Sequence, residues 1–224
     1  HRSKGKAARF RGGGRERAYH GMNIGCISVG GMINNVKTFA SVLMPGVQHM
    51  RHTHLDEHKF VSGQPETGAD RADDLERIAM NFGPENIAAC IVEPIAGSTG
   101  TLVPPKGYLQ KLRETCDKHG ILLIFDEVIT GWGRTGSSFA SIEYGVTPDI
   151  MTMAKATTNG VVPMGVVACK DEIYDSVMDA SPMGSVELFH GYTYSGIPVA
   201  VAAALAVQDI FEKEDIFNLS LIHI

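Results

Sequence analysis

Two hydrophobic rhythms alternate from Asp70 onward, and each predicts a different element. Asp70 to Phe82 sets Leu75, Ile78, Ala79 and Phe82 at helical spacing and stops at Gly83-Pro84, which predicts an amphipathic helix. Ile87 to Val92 is a short apolar run rich in branched residues, the pattern of a strand buried on both faces. The pair then repeats. Lys106 to His119 puts Leu109, Leu112 and Cys116 on one face with Gly120 just past its end, and Ile121 to Phe125 is again continuously apolar. Ile150 to Met153 and Gly165 to Ala168 predict two more strands. Asp171 to Met178 and Pro198 to Glu212 predict two more helices, the last with alanine and valine on its inner side. Alternating strands and helices, with the strands buried on both faces, predict an α/β domain built on a mainly parallel or mixed sheet.

Before Asp70 the pattern is weaker. Tyr19-His20-Gly21 opens a Gly-rich, weakly amphipathic stretch to Gly31 that predicts a short helix between turns, and Pro45 to Gly68 predicts irregular chain. Basic residues cluster from His1 to Arg17, which suggests a solvated edge, and Gly12-Gly13-Gly14 within it suggests a turn. His49, His52, His54 and His58 lie close to Asp56 and Glu57. Their spacing fits neither a helical i, i+4 zinc pair nor a zinc finger, so a polar loop or interface segment is expected and no metal.

Composition narrows the function classes. A chain of 224 residues that is 44% hydrophobic can bury a substantial core, and a net charge of −5 spread along the chain gives no basic face for nucleic acid. Cys26, Cys90, Cys116 and Cys169 form no CxxC pair, which argues against a zinc ribbon or redox motif and for buried free thiols. No signal-peptide pattern opens the 224 residues, and no apolar run in them approaches the roughly 20 residues that cross a bilayer. A cytoplasmic protein with no membrane partner is expected. Both ends look cut: the chain opens without methionine, and Leu219 to Ile224 can be encoded by a transposon end used to prepare sequencing libraries.

In open α/β sheets ligands bind at the carboxyl ends of the strands. Glu93-Pro94, Asp126-Glu127 and Ala154-Lys155 each follow an apolar run, so one lysine and several carboxylates are expected on one rim. Lys155 lies among Ala154, Ala156, Thr157, Thr158, Asn159 and Gly160. Partial desolvation there would favour the neutral amine and make it a nucleophile towards a carbonyl. An ordinary lysine paired with a carboxylate fits the same spacing.

The segment ILLIFDEVITGWGRTGSSFASIEYGVTPDIMTMAKATTNGVVPMG, Ile121 to Gly165, closely resembles the cofactor-lysine signature of the class III aminotransferases, pyridoxal-phosphate enzymes of fold type I. YHG at Tyr19 to Gly21, EPIAGSTG at Glu93 to Gly100 and HGYTYSGIP at His190 to Pro198 extend the resemblance to about Asn218. HTH at His52 to His54 and GYTYSG at Gly191 to Gly196 are most similar to the ω-amino acid:pyruvate members, for which β-alanine is a typical donor.

The resemblance implies the large cofactor domain of that fold, and a role for each matching residue. Lys155 would hold pyridoxal 5′-phosphate as a Schiff base and shuttle the proton during transfer from an amino donor to a 2-oxo acid such as pyruvate. Asp126 would pair with the pyridine nitrogen. Val128, two residues on and so on the same side of an extended chain, would pack on one ring face and Tyr19 on the other. Glu93 would help orient the site beside Asp126. Thr193 would bond the cofactor phosphate, usually of the neighbouring subunit, which implies a homodimer or higher homo-oligomer.

Two positions depart from the pattern: Ile129 stands where many relatives have glutamine, and Ile197 where histidine or asparagine is usual. The family's Gly/Ser-rich phosphate loop and carboxylate-binding arginine have no counterpart here. Residues 1–218 are therefore expected to be a partial large domain, inactive alone, and residues 219–224 a non-native tail. A 4-aminobutyrate or ornithine-type aminotransferase, an aminomutase or decarboxylase on the same fold, and a non-catalytic domain retaining the fold stay open as alternatives.

Overall fold

The computed structural model describes residues 1–183, 186 and 188–217, so the expected tail lies outside the described residues. In chain order the elements are β1 (Arg11–Arg15), α1 (Ile24–Val29), α2 (Ile33–Thr38), β2 (Val47–Met50), α3 (Asp73–Phe82), β3 (Ile87–Val92), α4 (Tyr108–His119), β4 (Leu122–Asp126), α5 (Ala140–Glu143), β5 (Ile150–Met153), β6 (Val166–Cys169), α6 (Asp171–Met178) and α7 (Pro198–Lys213). The strands form one sheet in the order β2-β1-β3-β4-β5-β6. The first five are parallel and β6 runs antiparallel to β5, so the carboxyl ends of β1 to β5 share one edge.

The core lies between the sheet and helices α3 and α4. Leu75, Ile78 and Ala79 of α3 and Leu109, Leu112 and Cys116 of α4 meet Ile87, Cys90, Val92, Leu123 and Phe125 from the strands. Leu75 and Leu112 are fully buried, and truncating either to alanine costs about 2–5 kcal/mol through lost burial and the cavity left behind. The opposite face is only half covered. There Ile91, pointing away from Cys90 and Val92, lines a cleft of about 640 Å³ with Val29, Thr152, Val166 and Ala200. Burial on both faces, expected from the apolar runs, therefore holds fully on one side only.

The amino-terminal third differs most from the sequence expectation. Gly12-Gly13-Gly14 is not a turn but the middle of β1, hydrogen-bonded between β2 and β3. Arg15 is buried rather than on a solvated edge. A Cβ on Gly14 would fall 2.1 Å from the Val29 carbonyl oxygen, so glycine is what lets α1 lie directly on the strand backbone. With no side chains, this strand carries no hydrophobic period to read. Val47–Met50, expected to be irregular, is a short edge strand in which only Met50 is buried.

Elsewhere the differences are small. The helix expected from Asp70 begins as a 3-10 turn, Ala69–Ala72, and becomes α-helical at Asp73. Gly120 caps α4 at φ 62°, a left-handed conformation that glycine adopts without steric cost. Cys90 and Cys116 are buried, whereas Cys26 is half-buried and Cys169, at the end of β6, is exposed. On α7 the buried residues are Ala200 and Ala204.

The histidine-rich loop makes structural bonds. The His49 Nε2 nitrogen meets the Gly30 carbonyl at 2.7 Å, and His58 sits between the Thr53 carbonyl and the Thr67 hydroxyl. Among the described residues no three His, Cys, Asp or Glu side chains gather as a metal site, and no helix is long and apolar enough to cross a membrane.

Candidate active site

Because β3, β4 and β5 are parallel and adjacent, the residues at their carboxyl ends share one rim. Asp126 ends β4, Glu93 follows β3, and Lys155 opens a 3-10 turn one residue after β5. Tyr19 and His20 reach the same rim from the chain leaving β1. A cavity of about 240 Å³ is lined by Tyr19, His20, Glu93, Asp126, Val128 and Lys155, among others. Five of the six residues singled out in the sequence thus share one enclosure. Thr193 does not line it. It sits in the exposed loop before α7, between Tyr192 and Tyr194, which line the adjoining 640 Å³ cleft together with Asp126 and Val128.

Asp126 is buried but not unpaired. The Val128 amide donates to Oδ1 at 3.1 Å, and Oδ2 lies 2.7 Å from His20 Nδ1. A carboxylate only accepts, so the shared proton resides on Nδ1 and the ring donates it. The His20 side chain is 2% exposed, and its Nε2 is buried without a partner. The negative charge of Asp126 also reaches Cys26, whose thiol is pushed up first by its own burial and then by that carboxylate. His20 was missed in the sequence although it stands inside the YHG motif. Its partner lies 106 residues away, and no local spacing announces such a pair.

Glu93 spends both oxygens on backbone. Oε1 accepts from the Tyr19 amide and Oε2 from the Gly97 amide, each at 2.9 Å, while Arg15 Nη2 donates to the Glu93 carbonyl. It ties the Tyr19 turn to the loop after β3. Gly97 closes that loop on its neighbour, since a Cβ there would lie 2.5 Å from Ile129 Cδ1.

Glu127, fully buried, organises the loop after β4. It accepts from the Thr130 hydroxyl and from the amides of Ala140 and Ser141, so it holds the start of α5 against the end of the strand. Val128 and Ile129 are carried on the loop so fixed.

Lys155 has φ 49°, a left-handed conformation that is uncommon for a residue with a Cβ and concentrates at functional positions. It is exposed, contrary to the partial desolvation expected from its small neighbours. The chemical inventory is therefore an exposed primary amine, a buried carboxylate braced by an imidazole, and flanking aromatic and branched apolar walls.

The model of the family "Aminotransferase class-III" matches residues 6–220. The chain is 56% identical to an omega-aminotransferase from Caulobacter vibrioides, over 97% of this chain and 49% of that protein. It is 48% identical to a beta-alanine–pyruvate aminotransferase from Pseudomonas aeruginosa, over 98% of this chain and 49% of that one. Among solved structures, the omega transaminase from Pseudomonas jessenii in complex with PMP superimposes with a TM-score of 0.88 at 36% identity, covering 97% of this chain and 48% of that chain. The chain thus spans about half the length of the curated relatives it matches. With the family model matching nearly end to end, the chain belongs to the class III aminotransferases.

Proposed function

We propose that the complete protein is a pyridoxal-phosphate-dependent transaminase that moves an amino group from an ω-amino acid or amine, such as β-alanine, to pyruvate. The observation that carries this reading is the cavity lined both by Lys155 and by an Asp126 carboxylate braced by His20. The donor set suits the cofactor: a buried carboxylate for a protonated pyridine nitrogen, Tyr19 and Val128 as apolar walls for a flat ring, and an exposed lysine for an aldehyde.

Bound pyridoxal phosphate would supply an aldehyde that condenses with amines and a ring that accepts electrons. Asp126 would pair with the protonated ring nitrogen, and His20 would hold the Asp126 carboxylate aimed at it. Tyr19 and Val128 would keep water from the ring faces. The Lys155 Nζ would carry the cofactor, yield to the incoming amine, and move the proton from the donor carbon. Glu93 would fix Tyr19 through its amide, and the Thr193 hydroxyl would donate to the phosphate of a partner subunit's cofactor in a homodimer.

Residues 1–218 would form part of the large cofactor-binding domain and 219–224 a non-native tail; the DNA encoding those codons tests that assignment. A cytoplasmic location accords with the chemistry. The activity is tested by assaying the complete protein with β-alanine, 4-aminobutyrate and an aromatic amine against pyruvate. Alanine formation from β-alanine is expected, and no alanine from any donor would overturn the proposal.

A further inference from the structure

We infer that Trp132 is a positioning residue for Lys155, acting through the Thr157 hydroxyl; this rests on the reading of Lys155 as the cofactor lysine. The left-handed backbone of Lys155 is unfavourable for a residue with a Cβ and persists only where the surroundings hold it. The holding contacts converge on Ala154, the residue before it. The Thr157 amide and the Thr157 hydroxyl both donate to the Ala154 carbonyl, each at 3.1 Å. Beyond the turn, the Gly160 amide closes on the Lys155 carbonyl at 3.2 Å.

The Thr157 hydroxyl has a second partner. Trp132 Nε1 lies 3.0 Å from Oγ1, and an indole N–H can only donate. Thr157 must therefore accept from Trp132, which leaves its own proton for Ala154. The chain from indole to hydroxyl to carbonyl runs in one direction, so each bond polarises the next, and it is only 2% exposed at Thr157.

Trp132 is itself fixed. Its backbone is left-handed at φ 63°, its ring packs edge-on to Phe139 at 5.2 Å, and it stacks on Phe211 of α7 at 5.9 Å with planes 13° apart. Its loop leaves β4 directly after Asp126 and is anchored by Glu127. Trp132 thus couples the loop behind Asp126 to the turn that carries Lys155 and sets the separation of the two groups, while lining neither the 240 Å³ cavity nor the cleft beside it.

The test uses the complete protein loaded with pyridoxal phosphate. Borohydride reduction and peptide mass first establish that the wild type carries the cofactor on Lys155. Trp132→Phe keeps a stacking ring and removes the N–H, Thr157→Val keeps the shape and removes the hydroxyl, and Thr157→Ser keeps the hydroxyl. Expected is a slowing of the first half-reaction at saturating β-alanine by about fivefold to thirtyfold in Trp132→Phe and Thr157→Val, the loss of one buried hydrogen bond. The KM for donor should stay within about twofold, since no substrate contact changes. The pH midpoint of the bound cofactor's visible absorbance should move in the same direction in both variants, and Thr157→Ser should restore rate and midpoint. Unchanged rate and midpoint in both variants with wild-type label on Lys155, or a Thr157→Ser as impaired as Thr157→Val, would overturn the inference alone. Absence of label on wild-type Lys155 would overturn it together with the site reading on which it rests.

Discussion

His20 Nδ1 and Asp126 Oδ2 meet at 2.7 Å with both side chains nearly buried. Among the described residues, the carboxylate holds only the Val128 amide besides the imidazole, and that amide by itself would leave it poorly aimed. The imidazole makes it a directed one. Replacing His20 with phenylalanine fills the space but removes the donor, and the half-reaction in the complete protein is expected to slow by about 10- to 100-fold, the worth of a hydrogen bond to a charged group. Asp126→Asn is expected to slow it more severely with modest loss of cofactor. The double variant should be no slower than Asp126→Asn, because the two act as a unit. Stopped-flow absorbance measures all three, and a full-rate His20→Phe removes the pair from the mechanism.

On the proposed reading, Lys155→Ala would remove both the amine that binds the aldehyde and the one that moves the proton, which are the same atom. Turnover is expected to vanish, and borohydride reduction should leave no pyridoxyl group on any peptide. A labelled peptide elsewhere in the variant would transfer the assignment to another lysine.

The half of the site contributed by β3, β4 and β5 was legible because each apolar run is interrupted at its carboxyl end by an acid or a lysine. Parallel pairing then puts those interruptions side by side. The half contributed by β1 was legible only at Tyr19, through the family motif. Gly12 to Gly14 has no side chains to show a period, and the basic residues around it suggested solvent where Arg15 is buried. His20 and Trp132 escaped for a different reason. Their partners, Asp126 and Thr157, lie 106 and 25 residues away, and only the folded sheet brings them within reach. The exposure of Lys155 likewise follows from the geometry of its turn, which small flanking residues do not specify.

Glu127 makes a stability prediction rather than a catalytic one. Its carboxylate serves two buried amides and a buried hydroxyl, all of which Glu127→Ala would leave unpaired. A loss of about 3 kcal/mol is expected from urea unfolding, in the range for breaking a buried charged network. A loss under about 0.5 kcal/mol, the scale of an ordinary surface change, would mean that the loop is held by other contacts.

Asp149 sets an acid limit on folding. Burial opposes its charge, yet hydrogen bonds from Lys170, the Leu123 amide and Arg113 prevail and hold its carboxyl below the ordinary range. Its folded pKa is thus lower than the unfolded value of about 3.9, so its contribution is complete above that pH and is lost as pH falls through the folded value. Denaturant titrations from about pH 6 to about pH 3 should show stability falling with acid, and a shallower fall in Asp149→Asn. An equal slope in both proteins would assign the acid sensitivity to other carboxylates.

The contact of α1 with the glycine strand bears on how such a protein can diversify. A Cβ on Gly14 would meet the Val29 carbonyl oxygen at 2.1 Å, and one on Gly31 the Arg15 carbonyl oxygen at 2.2 Å, so backbone rests on backbone with no side chain in between to trim or enlarge. The seat of α1 on β1, from which the chain runs on to Tyr19 and His20, is therefore closed to gradual adjustment, whether by drift or by a protein engineer. Changes in the shape of the cavity enter instead through lining side chains such as Ile129, which can shrink or grow while the backbone platform stays fixed.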